Sequence, residues 1–145
     1  MVDATDNTII ELLIENSRQS SRELAGKIGL DSSTVRRRVD KLVKNHVLEF
    51  SAQPNPDLLG YPVRAFIVLN VMPSNLSQVI RELSKIPDVR WISPVSGRFD
   101  ILTYVWFRSN QEILNFHENT VGKLQGVTHV ETFVCLTTAE NARAR

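Results

Sequence analysis

The order of strand-like and helix-like segments in the second half of the chain constrains the fold most. Apolar patterning predicts four strands, over 63–71, 89–95, 101–107 and 127–136. Apolar residues at helical spacing predict one helix after the first strand and one after the third, the latter opened by a capping box of Ser109 and Glu112. The order β-α-β-β-α-β is that of the ferredoxin-like fold, in which two helices cover one face of an antiparallel sheet. Pro94 falls on a predicted edge strand, where proline is tolerated.

This predicted sheet carries more apolar side chains than two helices on one face can cover. The opposite face also bears large apolar residues: Phe66, Val68, Leu102, Tyr104 and Trp106. An exposed apolar face of this size is typical of a partner surface. We therefore expect a second copy of the chain to pack on it.

The first half of the chain predicts three short helices. Apolar residues at helical spacing indicate the first over Asp6–Glu15, and Ser20 with Glu23 forms a capping box that opens the second. Gly29 is suited to end that second helix in a left-handed conformation. A turn of about four residues then leads into the third helix, a spacing typical of a helix-turn-helix. The alternation over Val47–Ala52 predicts a strand that serves as a wing.

The third helix has a dry side and a basic side. Its apolar positions recur at helical spacing: Val35, Val39, Leu42 and Val43. At 100° per residue, the direction opposite to them passes through Arg37 and Lys44. From Ser33 to Val47 there are five basic residues and one acidic residue, a local charge of +4. Such a helix suits the DNA major groove, although a solvated surface helix has the same pattern.

Composition allows one ordinary domain or two small ones, since the chain has 145 residues, 42% of them hydrophobic and 23% charged. The net charge is only +1, and residues 1–60 hold eight Lys or Arg against nine Asp or Glu. The positive charge is therefore local, and a dimer would double a narrow DNA-binding footprint. A single cysteine and the lack of a signal-peptide pattern or a membrane-spanning apolar run lead us to expect a cytoplasmic protein.

A series of short motifs at characteristic spacing runs along the chain. The motifs are Asp3, Asp6, Arg18 to Ser20, Glu23-Leu24-Ala25, Gly29-Leu30, Ser33-Thr34-Val35, Arg37-Arg38-Val39, Leu42, Leu59-Gly60, Gly97, Asp100 and Gly126-Val127. Over nearly its full length the chain resembles the Lrp/AsnC family, the feast/famine transcriptional regulators. The resemblance implies an α+β protein with a winged helix-turn-helix over 1–53, a linker over 54–60 and a ferredoxin-like effector-binding and oligomerisation domain over 61–145. It also implies a homodimer that can assemble into an octamer.

The resemblance and the charge pattern together nominate two sets of residues. Those expected to bind double-stranded DNA are Ser32, Ser33, Thr34, Arg36, Arg37, Arg38, Lys41 and Lys44. Those that match the family's effector pocket are Ser96, Gly97, Arg98, Asp100, Thr132, Phe133 and Val134. Backbone N–H groups at Gly97 and the carboxylate of Asp100 suit the two ends of an α-amino acid.

Three features of the sequence complicate this interpretation. Where the family has glycine before the wing, this chain has Asn45-His46, so one of these must adopt a left-handed conformation. Arg98 could pair with Asp100 and reshape the pocket. Asp100 could also serve simply to cap its turn.

No residue pattern indicates catalysis or metal binding. The sequence has no paired carboxylates with a poised partner, no Cys–His set at nucleophile spacing and no glycine-rich phosphate loop. His117 lies on the apolar face of the last predicted helix and is interpreted as a core histidine, because a metal needs three or four converging donors. We expect no cofactor other than an amino-acid effector. Two alternatives stay open: a tetrapyrrole (sirohaem-type) decarboxylase with the same two-domain plan, and an architectural DNA-binding protein without an effector.

Overall fold

The computed structural model describes residues 2–136 and divides the chain into two compact units, with the boundary between Gln53 and Pro54. Each unit has its own hydrophobic core. The sequence also predicts a polar tail over Thr137–Arg145, and these residues lie outside the described part of the chain. In the described part of the chain, no helix is long and apolar enough to cross a membrane.

The N-terminal unit consists of three helices: α1 (Ala4–Glu15), α2 (Ser21–Ile28) and α3 (Ser32–Lys44). The capping box of Ser20 and Glu23 is present at α2, and Gly29 ends that helix with φ +75°. A second capping box joins Asp3 and Asp6 at the start of α1. The first helix therefore begins earlier than the predicted Asp6, because Asp3 is its N-cap residue.

Six residues from the three helices form the core of this unit: Ile9, Leu13, Leu24, Ala25, Val35 and Leu42. Val39 packs against this core while partly exposed, and Val43 is 39% exposed. The prediction of Val43 as a buried residue was wrong, because Leu42 takes the inward direction and Val43 points about 100° away from it.

The strand predicted over Val47–Ala52 is not formed in the described structure. The amides of Val47 and Leu48 both donate to the carbonyl of Leu42, at 2.9 and 3.3 Å, so the helix end holds the chain that would start the strand. A strand also needs a partner ladder, and the N-terminal unit supplies none among its described residues. His46 adopts the left-handed conformation expected at Asn45 or His46, with φ +54°.

The C-terminal unit is a four-stranded antiparallel sheet. Its strands are β1 (Val63–Val71), β2 (Val89–Pro94), β3 (Ile101–Phe107) and β4 (Val127–Val134), in the spatial order β2-β3-β1-β4. This order confirms the predicted ferredoxin-like arrangement, with β1 and β3 in the centre. The strand β4 ends two residues before the predicted Leu136.

Two helices, α4 (Leu76–Leu83) and α5 (Asn110–Asn119), accompany the sheet. Residues at every second position of β1 and β3 pack with them into the core, including Ile67, Leu69 and Ile101, all fully buried. The apolar spacing predicts that the last helix continues through Val121 and Leu124, but the chain changes to a 3₁₀ turn over Val121–Lys123. Its capping box is only half formed, since the carboxylate of Glu112 accepts from the amide of Arg108, not Ser109.

The opposite sheet face, which we call the open face, carries exposed aromatic side chains. Phe66 is 39% exposed and Phe133 49%, and Phe66 packs against Tyr104 with ring centroids 4.9 Å apart. Trp106 and Val68 are buried, and the guanidinium of Arg90 lies 4.3 Å from the Trp106 ring. The open face is thus partly covered near Trp106 and exposed around Phe66.

Candidate nucleic-acid interface and effector region

The start of α3 is organised by one carboxylate. Asp31 accepts hydrogen bonds from the Ser33 hydroxyl at 2.5 Å and from the Thr34 amide at 2.8 Å. These bonds, the Ser33 hydroxyl first, hold the pKa of Asp31 well below its usual range. Asp31 therefore stays ionised, and the Ser33 proton is already donated within the chain. Ser32 and Ser33 are exposed, whereas Thr34 is half-buried.

Four basic side chains of α3 are exposed to solvent: Arg36, Arg37, Lys41 and Lys44. Within residues 2–136, none of them lies within ion-pair distance of an acidic side chain. Their charges are therefore available to an external polyanion. The structure thus shows α3 with a dry side and a basic side, as the residue spacing predicts.

Arg38 differs from these four. Its Nη1 atom lies 2.7 Å from Oδ2 of Asp3 and 2.8 Å from Oδ1 of Asp6, so the guanidinium is held inside the N-terminal unit. The sequence predicts Arg38 as a DNA-binding residue beside Arg37. The structure separates the two, because Arg38 lies on the flank of α3 that faces the start of α1.

The turn over Ser96–Asp100 is fastened to the end of β1. Oδ2 of Asp100 accepts from the amide of Val71 at 2.9 Å, and the Asn70 side-chain amide donates to the carbonyl of Arg98 at 2.7 Å. Gly97 has φ +151° and is exposed, with open space where a side chain would be. The carboxylate of Asp100 thus has a structural partner through one oxygen.

Arg98 does not pair with Asp100. Its Nη2 atom lies 3.3 Å from Oε2 of Glu131 on β4, and its guanidinium stacks over Phe99 at 4.6 Å. Asn70 and Glu131 were missed by sequence reasoning, because both reach the turn from strands about 30 residues away in the sequence.

Thr132 and Phe133 of the predicted effector pocket lie on opposite faces of the sheet. Thr132 is turned toward α5, where its hydroxyl lies 2.7 Å from Nε2 of His117, while Phe133 is on the open face. His117 is thus a partly buried histidine satisfied by a threonine. Val134 is exposed at the end of β4.

A separate cavity of about 360 Å³ lies between α5, the following 3₁₀ turn and β4. It is lined by His117, Val121, Gly122, Leu124, Val127, Thr128, His129 and Val130. None of the seven predicted effector residues is part of this lining. Among residues 2–136, no three His, Cys, Asp or Glu side chains converge on a metal position.

Two family models match the chain in succession. Residues 2–49 match a winged helix-turn-helix DNA-binding model, and residues 64–144 match the Lrp/AsnC ligand binding domain. An HTH-type transcriptional regulator of Pyrococcus abyssi is 36% identical over 134 residues, which span 92% of this chain and 85% of that relative. The chain belongs to the Lrp/AsnC family.

Solved structures of Lrp/AsnC proteins have the same fold. AsnC of E. coli superposes with a TM-score of 0.85 and 22% identity, covering 99% of each chain. A regulator of Neisseria meningitidis, solved as a complex with L-Met, gives a TM-score of 0.87 and 22% identity over 97% of this chain and 94% of that one. These comparisons confirm the family and the α+β fold class predicted from the sequence. As an Lrp/AsnC protein, this chain is a DNA-binding transcriptional regulator.

Proposed function

We propose that this regulator acts as a dimer whose two α3 helices enter the DNA major groove, with its assembly or DNA affinity modulated by an amino acid. The observation that carries the proposal is the set of four exposed cations on α3, which have no acidic partner among residues 2–136. Helix-turn-helix proteins read base edges with the N-terminal part of the recognition helix. Arg36 and Arg37 lie nearest to that end, so we assign them to bases, and we assign Lys41 and Lys44 to phosphates.

The low net charge favours DNA binding as a dimer. At +1 overall, one chain has little long-range attraction for DNA, and two copies double the number of available cations. The exposed aromatic residues of the open face, Phe66 and Phe133 among them, supply a surface for self-association. A two-fold dimer would present the same patch from both copies.

The effector assignment rests on the turn around Gly97. Its exposed backbone suits a carboxylate, and the bonds of Asp100 to the end of β1 all use one oxygen, Oδ2. Thr132 and Phe133 lie on opposite faces of the sheet, and we assign the rest of the pocket to residues of a second copy. The L-Met complex of the Neisseria relative supports an amino-acid ligand.

DNA contact is tested with Arg37→Ala. A binding site is first selected from a randomised DNA library, and affinity for it is then measured by fluorescence anisotropy. We expect Arg37→Ala to weaken binding by roughly 1–3 kcal/mol if the side chain reads a base. The matched control is Arg81→Ala, which removes the same charge from an exposed position on α4. Unchanged affinity in Arg37→Ala, with helical circular dichroism intact, would refute the assignment of α3.

Effector binding is tested by thermal shift against the twenty amino acids, with light scattering to follow assembly. A ligand at about 100 times its Kd stabilises the folded state by roughly 2.7 kcal/mol, which gives a measurable shift of the melting temperature. We expect Asp100→Asn to abolish the shift, since asparagine can still accept from Val71 but cannot bind an ammonium as an ion pair. Asp88→Asn, which makes the same substitution elsewhere in the C-terminal unit, serves as the control. If no amino acid changes stability, assembly or DNA affinity, the effector-independent alternative holds.

A further inference from the structure

Arg38 links two distant parts of the N-terminal unit through a single nitrogen. Its Nη1 atom lies within 2.8 Å of both Asp3 and Asp6, which are 35 and 32 residues away in the sequence. Asp3 is the N-cap residue of α1, and Asp6 forms the capping box with it. The ion pair therefore ties the first turn of α1 to the middle of α3.

The environment of this ion pair disfavours a change of partner. The side chain of Asp6 is only 9% exposed, and that of Arg38 is 30% exposed. The hydrogen bonds that Arg38 donates to Asp3 and Asp6 raise the pKa of Arg38, and bonds from the Asp6 amide and Arg38 lower the pKa of Asp3. A DNA phosphate at Arg38 would have to approach two carboxylates and leave the buried one without its cation, which is strongly unfavourable.

The packing of α3 explains why an additional ion pair is useful for fixing the orientation of this helix. The helix buries only Val35 and Leu42 fully, with Val39 partly buried between them. These residues form one narrow aliphatic stripe along the helix, and hydrophobic contact along a stripe has little directional preference. A charge-assisted hydrogen bond on the flank is directional and fixes the rotation of the helix about its axis.

We propose that Arg38 is a positioning residue: it contacts no DNA and, bound to Asp3 and Asp6, sets the rotation of α3 that aims Arg36 and Arg37 at the bases. This inference rests on the proposed DNA-reading role of α3. It separates Arg38 from the neighbouring arginines in both role and expected response. Asp3 and Asp6 acquire the same role, although both carry the charge that DNA repels.

The test compares Arg38→Gln, Asp3→Asn and Arg37→Ala in the full-length chain, on the selected DNA site and on random duplex, across a series of salt concentrations. All measurements are made at a temperature at which circular dichroism shows every variant fully folded. We expect Arg38→Gln to weaken binding to the selected site by roughly tenfold, which is about the effect of removing one bond to a base, and to leave random binding unchanged. We also expect the slope of the logarithm of the association constant against the logarithm of salt concentration to stay at the wild-type value. If Arg38 instead contacted a phosphate, the magnitude of this slope would fall by about 0.9 for each phosphate that the variant no longer neutralises.

Asp3→Asn keeps the variant set informative if Arg38→Gln does not fold. Asparagine remains a good N-cap residue and leaves the Arg38–Asp6 pair in place, so α1 should form normally. With Arg38 as a positioning residue, Asp3→Asn weakens binding to the selected site and lowers the ratio of specific to random affinity. With Arg38 as a DNA-binding residue, Asp3→Asn removes one of the two carboxylates that compete with a phosphate for the guanidinium, so binding becomes tighter.

Three results would overturn the inference: tighter binding by Asp3→Asn, a reduced salt slope in Arg38→Gln, or unchanged affinity in a fully folded Arg38→Gln. The last result would assign the ion pair to stability alone. Arg37→Ala distinguishes this failure from failure of the proposed function. If Arg37→Ala also leaves binding unchanged, α3 is not the reading helix, and the role of Arg38 falls with it.

Discussion

Replacing Phe66 by alanine should weaken the proposed dimer while leaving each chain folded. Phe66 lies in the middle of the open face, on the central strand β1, and packs against Tyr104. Its backbone neighbours on both sides, Ala65 and Ile67, point into the helix-covered core and are fully buried. The substitution therefore changes the open face without opening a cavity in the core.

The magnitude follows from the exposed fraction of the ring. A phenylalanine side chain buries roughly 200 Å² when fully covered, so the 39% that is exposed offers roughly 80 Å² to a partner. At about 25 cal/mol per Å², its burial contributes about 2 kcal/mol per protomer. In a two-fold dimer the residue is lost twice, so association weakens by about 4 kcal/mol, roughly a thousandfold in Kd.

The assay is sedimentation equilibrium over a range of protein concentrations, with each variant checked by tryptophan fluorescence. Both tryptophans, Trp91 and Trp106, lie in the C-terminal unit, so their emission responds to its folding. Because Trp106 lies on the open face, circular dichroism is measured as well to separate unfolding from dissociation. Leu114→Ala is the matched control, since Leu114 is 50% exposed but lies on α5, away from the open face. If Phe66→Ala and wild type dimerise with equal Kd, the open face is not the dimer interface.

Three further predictions concern stability. Gly126 has φ +90°, and a Cβ there would lie 2.5 Å from the side chain of Asn75, so Gly126→Ala should destabilise the C-terminal unit by about 2 kcal/mol or more. Gly26 lies within α2 with open space around it, so Gly26→Ala should instead stabilise the N-terminal unit by about 0.5–1 kcal/mol. Urea denaturation followed by fluorescence and by circular dichroism measures both effects. An undiminished stability of Gly126→Ala would contradict the first expectation, and a destabilised Gly26→Ala would contradict the second. The pKa of Asp31 is held low, chiefly by the Ser33 hydroxyl, so its stabilisation of α3 is fully present above the unfolded pKa of about 4 and is lost as the pH falls below it. Asp31→Asn should therefore flatten the acid limb of the stability–pH curve measured by circular dichroism, and an unchanged limb would show that other carboxylates dominate.

Local features of this chain could be predicted because their causes are local. The capping box of Ser20 and Glu23 spans three residues, and the left-handed Gly29 follows directly from the end of its helix. The period-two pattern of β1 separated its two faces, which placed Phe66 on the open face and Ile67 in the core. The order of these elements was enough to define the sheet topology.

The features that were missed depend on interactions between distant residues. Arg38 has the same charge and the same sequence surroundings as Arg37, and only the position of α1 decides which of them is paired. The prediction of a wing strand was wrong for a related reason. Alternation over 47–52 is a local signal, whereas a strand needs a partner strand from elsewhere in the chain. Asp100 has the sequence surroundings of a turn residue, yet its bond to the Val71 amide depends on the arrangement of the sheet.

The division between Gln53 and Pro54 has a consequence for how such proteins diversify. The core of the three helices and the core beneath the sheet share no residue. A mutation that alters which DNA sequence is read therefore need not disturb the packing of the sheet, and drift in the sheet need not disturb the reading helix. Recombination between relatives at residues 54–60 would exchange the helix-turn-helix unit and the Lrp/AsnC ligand binding domain as separate inherited units.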